Sequence, residues 1–359
     1  MSAEVVTLDA GRRHSARLDL DRGRVELTHG AGGRATTDLI DGLFRPAFAN
    51  PLLSQGNDQA IFAPPTDAGG RLAMTTDSFV ISPLFFPGGN IGSLAVHGTV
   101  NDLAMGGAVP LTLSCGFIIE EGFPLGELKQ IVDAMAAAAE DAGVQIATGD
   151  TKVVERGKGD GVFINTTGIG WVPAGRSLGV DRLAAGQSVL VSGTIGDHGM
   201  AIMSLRNGLT FETTLESDSA ALNDLVGSLI DAVGDDVVCL RDPTRGGVAA
   251  TLNELASQAG LGMVLDEASL PLRDEVTGAC ELLGLDPLNV ANEGKLLAIV
   301  ATDRADEALA ALKAHPLGRD AAIIGETVVD DLNLVRLRTL IGGERVVDWI
   351  HGEQLPRIC

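Results

Sequence analysis

With 359 residues the chain has the length of two domains, and its 45% hydrophobic content supplies ample core. Acidic residues outnumber basic ones 48 to 26, a net charge of −22, and aromatics make up 3% with no Tyr, so neither a phosphate-backbone patch nor a base-stacking surface is expected, and nucleic acid is not expected as a partner. Met1 to Arg24 has no apolar leader, and Pro83, Pro87, Gly88, Gly89 and Gly92 break the uncharged run Ser78 to Asn101 below the roughly 20 apolar residues of a spanning helix, so the expectation is a cytoplasmic protein with no membrane association.

Residues 1–27 are polar and without period, and read as an arm or edge element. Thr28-His29-Gly30-Ala31-Gly32-Gly33 then feeds a helix beginning near Thr36. Gly30, Gly32 and Gly33 can bare backbone N–H groups as a phosphate cradle, although the loop lacks the Lys and spacing of a P-loop and a plain Gly-rich turn reads the same way. Four aspartates follow in similar settings: Asp58 among small residues, Asp77 after the run Leu72 to Thr76, Asp102 in Asn101-Asp102-Leu103-Ala104, and Asp150 in Thr148-Gly149-Asp150-Thr151-Lys152. Each alone fits a cap or a turn. Asp77 and Asp150 fall at the ends of β-like runs, where carboxylates are well placed to converge, and the four together can share a hard cation such as Mg2+, which also takes phosphate oxygens. A strand is predicted over 111–119 and a helix over 124–142, with Leu125, Leu128, Ile131, Val132, Met135 and Ala139 on one face and Gly143 as its stop. Strands at 145–148 and 161–171 complete an α+β pattern for a first domain over 28–175.

Pro, Gly and charge cluster over 173–183 and mark a boundary. Residues 184–330 then alternate strands (188–192, 237–240, 263–265, 296–300, 322–324) with helices (219–233, 248–259, 273–283, 304–314), the pattern of a second, α/β domain. Two strands run into Gly-rich turns, Ser192-Gly193-Thr194-Ile195-Gly196-Asp197-His198-Gly199 and Asp242-Pro243-Thr244-Arg245-Gly246-Gly247, and Asn292-Glu293-Gly294-Lys295 precedes another. Residues 331–359 read as a mobile tail with a hairpin turn at Gly342-Gly343, ending Pro356-Arg357-Ile358-Cys359. No Cys-x-x-Cys pair signals zinc or redox chemistry, and Cys115 and Cys239 read as core thiols. Cys359 is different. Ten extended residues from Trp349 would carry its sulfur about 33–36 Å, so it is either a swinging nucleophile or an idle terminal thiol. Its own carboxylate disfavours a thiolate, and Arg357 is the cation near it in sequence.

The motifs Ser192 to Gly199, Asp242 to Gly247 and Pro356 to Cys359 carry a resemblance that spans nearly the whole length from Leu27. The chain resembles the HypE family of nickel–iron hydrogenase maturation proteins, in the ATP-binding superfamily of aminoimidazole ribonucleotide synthetase, selenophosphate synthetase and thiamine-monophosphate kinase. The resemblance implies an α+β, two-domain aminoimidazole ribonucleotide synthetase-like fold: an N-terminal sheet domain that binds ATP and dimerises, a C-terminal α/β domain, and a mobile tail. It implies that a carbamoyltransferase, HypF, loads a carbamoyl group onto Cys359. The chain would dehydrate this thiocarboxamide to a thiocyanate with ATP, and the cyano group would pass to iron on a HypC–HypD complex. The same resemblance implies Mg2+ at Asp58, Asp77, Asp102 and Asp150, with Asp242 reaching in from the second domain, and nucleotide contacts from Gly30, Gly32, Gly33, Asn101, Thr151 and Lys152. Cys359 would be the covalent tether, and Lys152 and Glu293 would handle protons, a surface ion pair being the plain alternative for both. His198 is a further candidate that would equally cap a helix. Two other readings stay open: a small-molecule kinase or synthetase of the superfamily with an idle tail, and a scaffold that binds ATP without consuming it.

Overall fold

The computed structural model describes residues 18–30, 34–51, 53, 69–208, 215–348 and 357–359. The N-terminal half is built on a four-stranded sheet of β1 (Arg71–Phe79), β4 (Val109–Glu120), β5 (Gln145–Val154) and β6 (Val162–Val172), in the order β1-β6-β4-β5. β1, β6 and β4 run antiparallel to their neighbours, whereas β5 lies parallel to β4 because helix α4 (Leu125–Asp141) crosses over between them. α4 buries Leu125, Leu128, Ile131, Val132 and Met135 against the inner face, the stripe its sequence spacing requires. Before the sheet, a 3-10 turn (Leu27–Gly30), α1 (Arg34–Leu39), a π-turn (Ile40–Phe44) and α2 (Arg45–Ala47) close the same core with Leu39, Leu43 and Phe44. The described part of the expected arm is pinned: Val25 is buried, its N–H donates to the Phe123 carbonyl, and Leu18 and Leu20 pack on the core.

One element had no counterpart in the sequence reading. After the short strands β2 (Phe85–Phe86) and β3 (Gly89–Asn90), helix α3 (Ile91–Met105) runs beneath β1 and β6. Asn90 caps it, accepting from the Gly92 and Ser93 N–H groups while the Ser93 hydroxyl accepts from the Asn90 N–H. α3 is buried on nearly every side, so it shows no amphipathic stripe.

The C-terminal half is a seven-stranded sheet in the order β13-β12-β9-β11-β7-β10-β8, made of β7 (Gln187–Val191), β8 (Val237–Arg241), β9 (Gly262–Asp266), β10 (Leu297–Ala301), β11 (Ala322–Val328), β12 (Val335–Arg338) and β13 (Glu344–Val346). Helices α5 (Asp197–Asn207), α6 (Asn223–Val233), α7 (Gly247–Ala259), α8 (Asp274–Leu283) and α9 (Ala305–Ala314) accompany it. Val189 and Val191 face the core with α7, and Leu190 between them faces the core with α6 and α9, which is why β7 reads as an unbroken apolar run. The expectation of a tail over 331–359 needs correction: β12 and β13 belong to the sheet, with Val335 and Leu337 buried and Arg336 and Arg338 turned outward. The Thr339–Gly343 turn joins them, with Gly342 at φ +84°.

The two halves share core. Ala104 and Met105 of α3 pack with α6 and β8, and Ile202 of α5 joins the N-terminal core. Among the described residues no helix is long and apolar enough to cross a membrane.

Candidate functional site

Asp77 lies on the inner face of β1, above Gly98 of α3, and its Oδ1 accepts from the Ser78 N–H at 2.7 Å. Asp102, near the end of α3, accepts from the Thr75 hydroxyl of β1 at 2.7 Å. The missing side chain at Gly98 lets α3 approach β1 this closely, since a Cβ there would meet the Phe79 ring at 2.9 Å. Asp242 arrives from the other half, immediately after β8. Desolvation raises the carboxyls of Asp77 and Asp102, and each of Asp102 and Asp242 is raised further by the charges of its acidic neighbours. Asp242, the most affected of the three, is pushed up to about 7, first by burial and then by Asp102.

Glu293 completes the group. Its side chain is 3% exposed, and its Oε1 has no hydrogen-bond partner among the described residues. Burial holds its pKa well above the usual carboxylate range, with Asp242, Asp218 and Asp77 adding to the effect. The backbone around it is locked. Asn292 accepts from the Gly196 N–H at 2.7 Å and donates to the Pro243 carbonyl at 2.9 Å, tying both Gly-rich turns to the Glu293 loop. The Glu293 N–H donates to Asp218 at 3.0 Å, and Lys295 pairs with the same carboxylate at 3.0 Å. Gly247, at φ +63°, lets the start of α7 touch this loop: a Cβ there would sit 2.5 Å from the Val290 carbonyl oxygen.

The chain end enters the same place. The Cys359 and Arg357 carbonyls accept from the Val80 and Ser82 N–H groups, both at 3.2 Å, so the last residues run antiparallel to the extension of β1. Ile358 is 1% exposed within the N-terminal core. The thiol of Cys359 is half-buried, 3.2 Å from an Arg245 Nη. Burial pushes it up to about 12, Glu293 adds to this, and Arg245 opposes it. Arg357, expected from sequence to compensate the thiolate, instead donates to the Val80 carbonyl and pairs with Asp160; Arg245 takes the place at the sulfur. Residues 357–359 are thus docked rather than free.

The other expected site residues fall elsewhere. Asp58, Gly32 and Gly33 lie outside the described residues. Asp150 and Lys152 pair with each other at 2.6 Å on the outer face of β5, the sheet face opposite Asp77, so the structure does not bring them to the acidic group within one chain. Lys152 and other groups at its side chain hold Asp150 below the usual carboxylate range. Thr151 points inward, beside a cavity of about 160 Å³ lined by Phe44, Cys115, Phe117 and Ile146, and the turn ending at Gly30 packs against β5. Asn101 spends its side chain on the domain junction, donating to the Ala220 and Glu293 carbonyls and accepting from the Leu222 N–H. Arg245, Asp218 and Arg206 carry no site signal of their own in the sequence, and of the three only Arg245 lies within a Gly-rich motif.

Among the described residues no three His, Cys, Asp or Glu side chains close up as a metal cage. The donor chemistry of Asp77, Asp102 and Asp242 still fits Mg2+. They are hard oxygen donors whose mutual repulsion a dication would relieve, and Mg2+ characteristically takes one or two carboxylates with phosphate oxygens and water.

The N-terminal domain of AIR synthase related proteins matches residues 56–172, and the C-terminal domain of that family matches residues 184–336. The carbamoyl dehydratase HypE of Rhizobium leguminosarum bv. viciae is 59% identical over 97% of this chain and 99% of its own. A crystal structure of the hydrogenase maturation protein HypE in complex with ATP superposes with a TM-score of 0.88 at 49% identity, covering 93% of this chain and 99% of that one. A HypE–HypF complex gives 0.76 at 48% identity, covering 87% and 99%.

Proposed function

The chain belongs to the HypE family of carbamoyl dehydratases, within the AIR synthase related proteins, and on that premise we propose that it dehydrates a carbamoyl group carried on Cys359 to a thiocyanate at the expense of ATP, supplying the cyanide ligand of hydrogenase iron. The observation that carries the residue assignment is the docked chain end, which puts the Cys359 sulfur against Arg245 and within the field of Glu293 and Asp77. An idle terminal thiol has no need of that setting.

In the reaction S–C(=O)–NH2 becomes S–C≡N: the C–O bond breaks, both nitrogen hydrogens leave as protons, and the oxygen departs in inorganic phosphate. Bound ATP would supply the phosphoryl group that turns the amide oxygen into a leaving group, and Mg2+ would neutralise phosphate charge. Asp77, Asp102 and Asp242 would hold the cation. Asp58 and Asp150 stay candidates of the same kind, as do Gly30, Gly32, Gly33, Asn101, Thr151 and Lys152 for the nucleotide. Glu293 is the base for the nitrogen protons, because a carboxylate raised well above 4.5 accepts a proton more readily than an ordinary one. Arg245 stabilises negative charge developing on the atoms bound to the sulfur. The thiol, pushed up to about 12, is a poor nucleophile where it is docked, which favours loading by a HypF-like carbamoyltransferase with the tail released. A HypC–HypD complex is the proposed acceptor. A second copy of the chain is the proposed cover for the outer face of the four-stranded sheet, where Leu72 is 62% and Met74 75% exposed.

Intact-protein mass tests this reading. Incubation with HypF, carbamoyl phosphate and limiting ATP is expected to add about 43 Da, and further MgATP to remove about 18 Da, with Cys359→Ala doing neither. Glu293→Gln is expected to gain the first mass and lose the second at least about 100-fold more slowly. No adduct with an active transferase would instead favour a small-molecule enzyme.

A further inference from the structure

Loading by a separate protein and dehydration beside Glu293 make opposite demands on Cys359. The first needs the thiol reachable, and the second needs the last residues held. Resting on the carbamoyl dehydratase reading, we propose that His198 is the positioning residue that latches the chain end for dehydration, by donating a hydrogen bond to the Ile358 carbonyl while Ser217 fixes its tautomer.

His198 is fully buried at the start of α5, and its Nε2 lies 2.7 Å from the Ile358 carbonyl oxygen. A carbonyl can only accept, so Nε2 carries the hydrogen. Burial disfavours the charged ring, and the neutral ring leaves Nδ1 as an acceptor. The Ser217 hydroxyl, 2.7 Å away, is the donor that fits, since its oxygen already accepts from the Ser219 N–H at 3.1 Å. The imidazole also stands edge-on to Phe86, at 5.6 Å between centroids and 88° between planes, which sets its rotation.

The latch belongs to a docking face. Ile202 and Arg206 follow His198 at intervals of four along α5. Ile202 packs in the core that receives Ile358, and Arg206 donates to the Arg357 carbonyl at 2.6 Å. On the opposite side Val80 and Ser82 hold the flanking carbonyls with their own N–H groups. The carbonyls of all three last residues are therefore claimed, and the middle one is claimed by a side chain. Ser217 lies next to Asp218, which accepts from the Glu293 N–H, so one short segment supports both the latch and the base.

The test uses the full-length chain and three readouts, with His198→Leu, His198→Gln and Ser217→Ala. The first is the rate of Cys359 alkylation by iodoacetamide, read by mass on the C-terminal peptide and requiring no transferase. The second is loading by HypF, and the third is the single-turnover loss of about 18 Da after loading. In His198→Leu, alkylation is expected to rise and dehydration to fall by about tenfold each, the scale of one buried hydrogen bond, with loading unchanged or faster. His198→Gln, whose amide can still donate, is expected to recover most of both, and Ser217→Ala to lie between. Unchanged alkylation and dehydration in His198→Leu would overturn the latch. So would loading and dehydration falling together, or a defect that Gln does not relieve, since either marks a packing role. If wild-type chain takes no adduct while His198→Leu still speeds alkylation, the dehydratase reading fails and the latch survives.

Discussion

At Asp242, burial and the neighbouring carboxyls of Asp102 and Asp77 push the pKa up to about 7, from an ordinary value of 3.8. The folded state therefore keeps a proton that the unfolded chain gives up. Its stabilising contribution is complete below pH 3.8 and is lost as pH rises through about 7. Asp242→Asn, which cannot ionise, is expected to be more stable than the parent at pH 8 by roughly 1–3 kcal/mol, with the gap closing toward pH 4. Urea unfolding at both pH values checks this, and a gap that widens on acidification would contradict it. At this scale the sequence showed Glu293, Asp242 and Cys359 through their motifs. It did not show Asp218, whose partners lie about 75 residues away along the chain, in a segment with no motif of its own.

At the scale of elements, the close crossing of α3 over α4 decides where Asp102 stands. A Cβ added at Gly92 would lie 2.2 Å from the Ile131 carbonyl oxygen, a backbone atom that cannot step aside. Gly227 on α6 has nothing within 4 Å of the same position. Gly92→Ala is thus expected to cost roughly 1–3 kcal/mol by forcing the helices apart, whereas Gly227→Ala should gain about 0.5–1 kcal/mol from helix propensity. Chemical denaturation of the two variants separates steric from intrinsic effects, and a stabilised Gly92→Ala would refute the close approach. α4 was legible because it buries one stripe, and the C-terminal strands because, buried on both faces, they read as short unbroken apolar runs between helices. α3 was not, since a helix buried all round has no polar side to reveal its period.

For the whole molecule, the outer face of the four-stranded sheet is a surface with much to gain from a partner. Leu72 pairs across the ladder with Trp171, and Met74 with Ile169, forming an apolar strip that no element of the chain covers among the described residues. We expect sedimentation to give twice the 37.0 kDa chain mass, and Met74→Asp to shift the chain toward monomer, because burying a carboxylate in that strip is costly. A monomeric parent chain would remove the second copy from the scheme. Within one chain, the junction is closed by Asn101 and by the shared cores, so the acidic group is assembled from both halves.

Local sequence carried the chemistry on offer and the order in which it comes. Charge argued against nucleic acid, strand and helix periods marked two domains, and the Gly-rich turn opening at Asp242, the Glu293 motif and a terminal Cys359 named candidate groups for the chemistry. Those signals are local: a period, a turn or a motif lies within about ten residues, where residue spacing alone expresses it. Which groups meet follows from the folded chain. It set Asp77 and Asp150 on opposite faces of one sheet and gave the thiol Arg245 in place of Arg357. It also made 331–348 part of the C-terminal sheet and its flanks, and turned His198 toward a carbonyl 160 residues further along the chain. Such pairings follow from strand register, helix crossing and shared burial, which join segments that no local spacing connects.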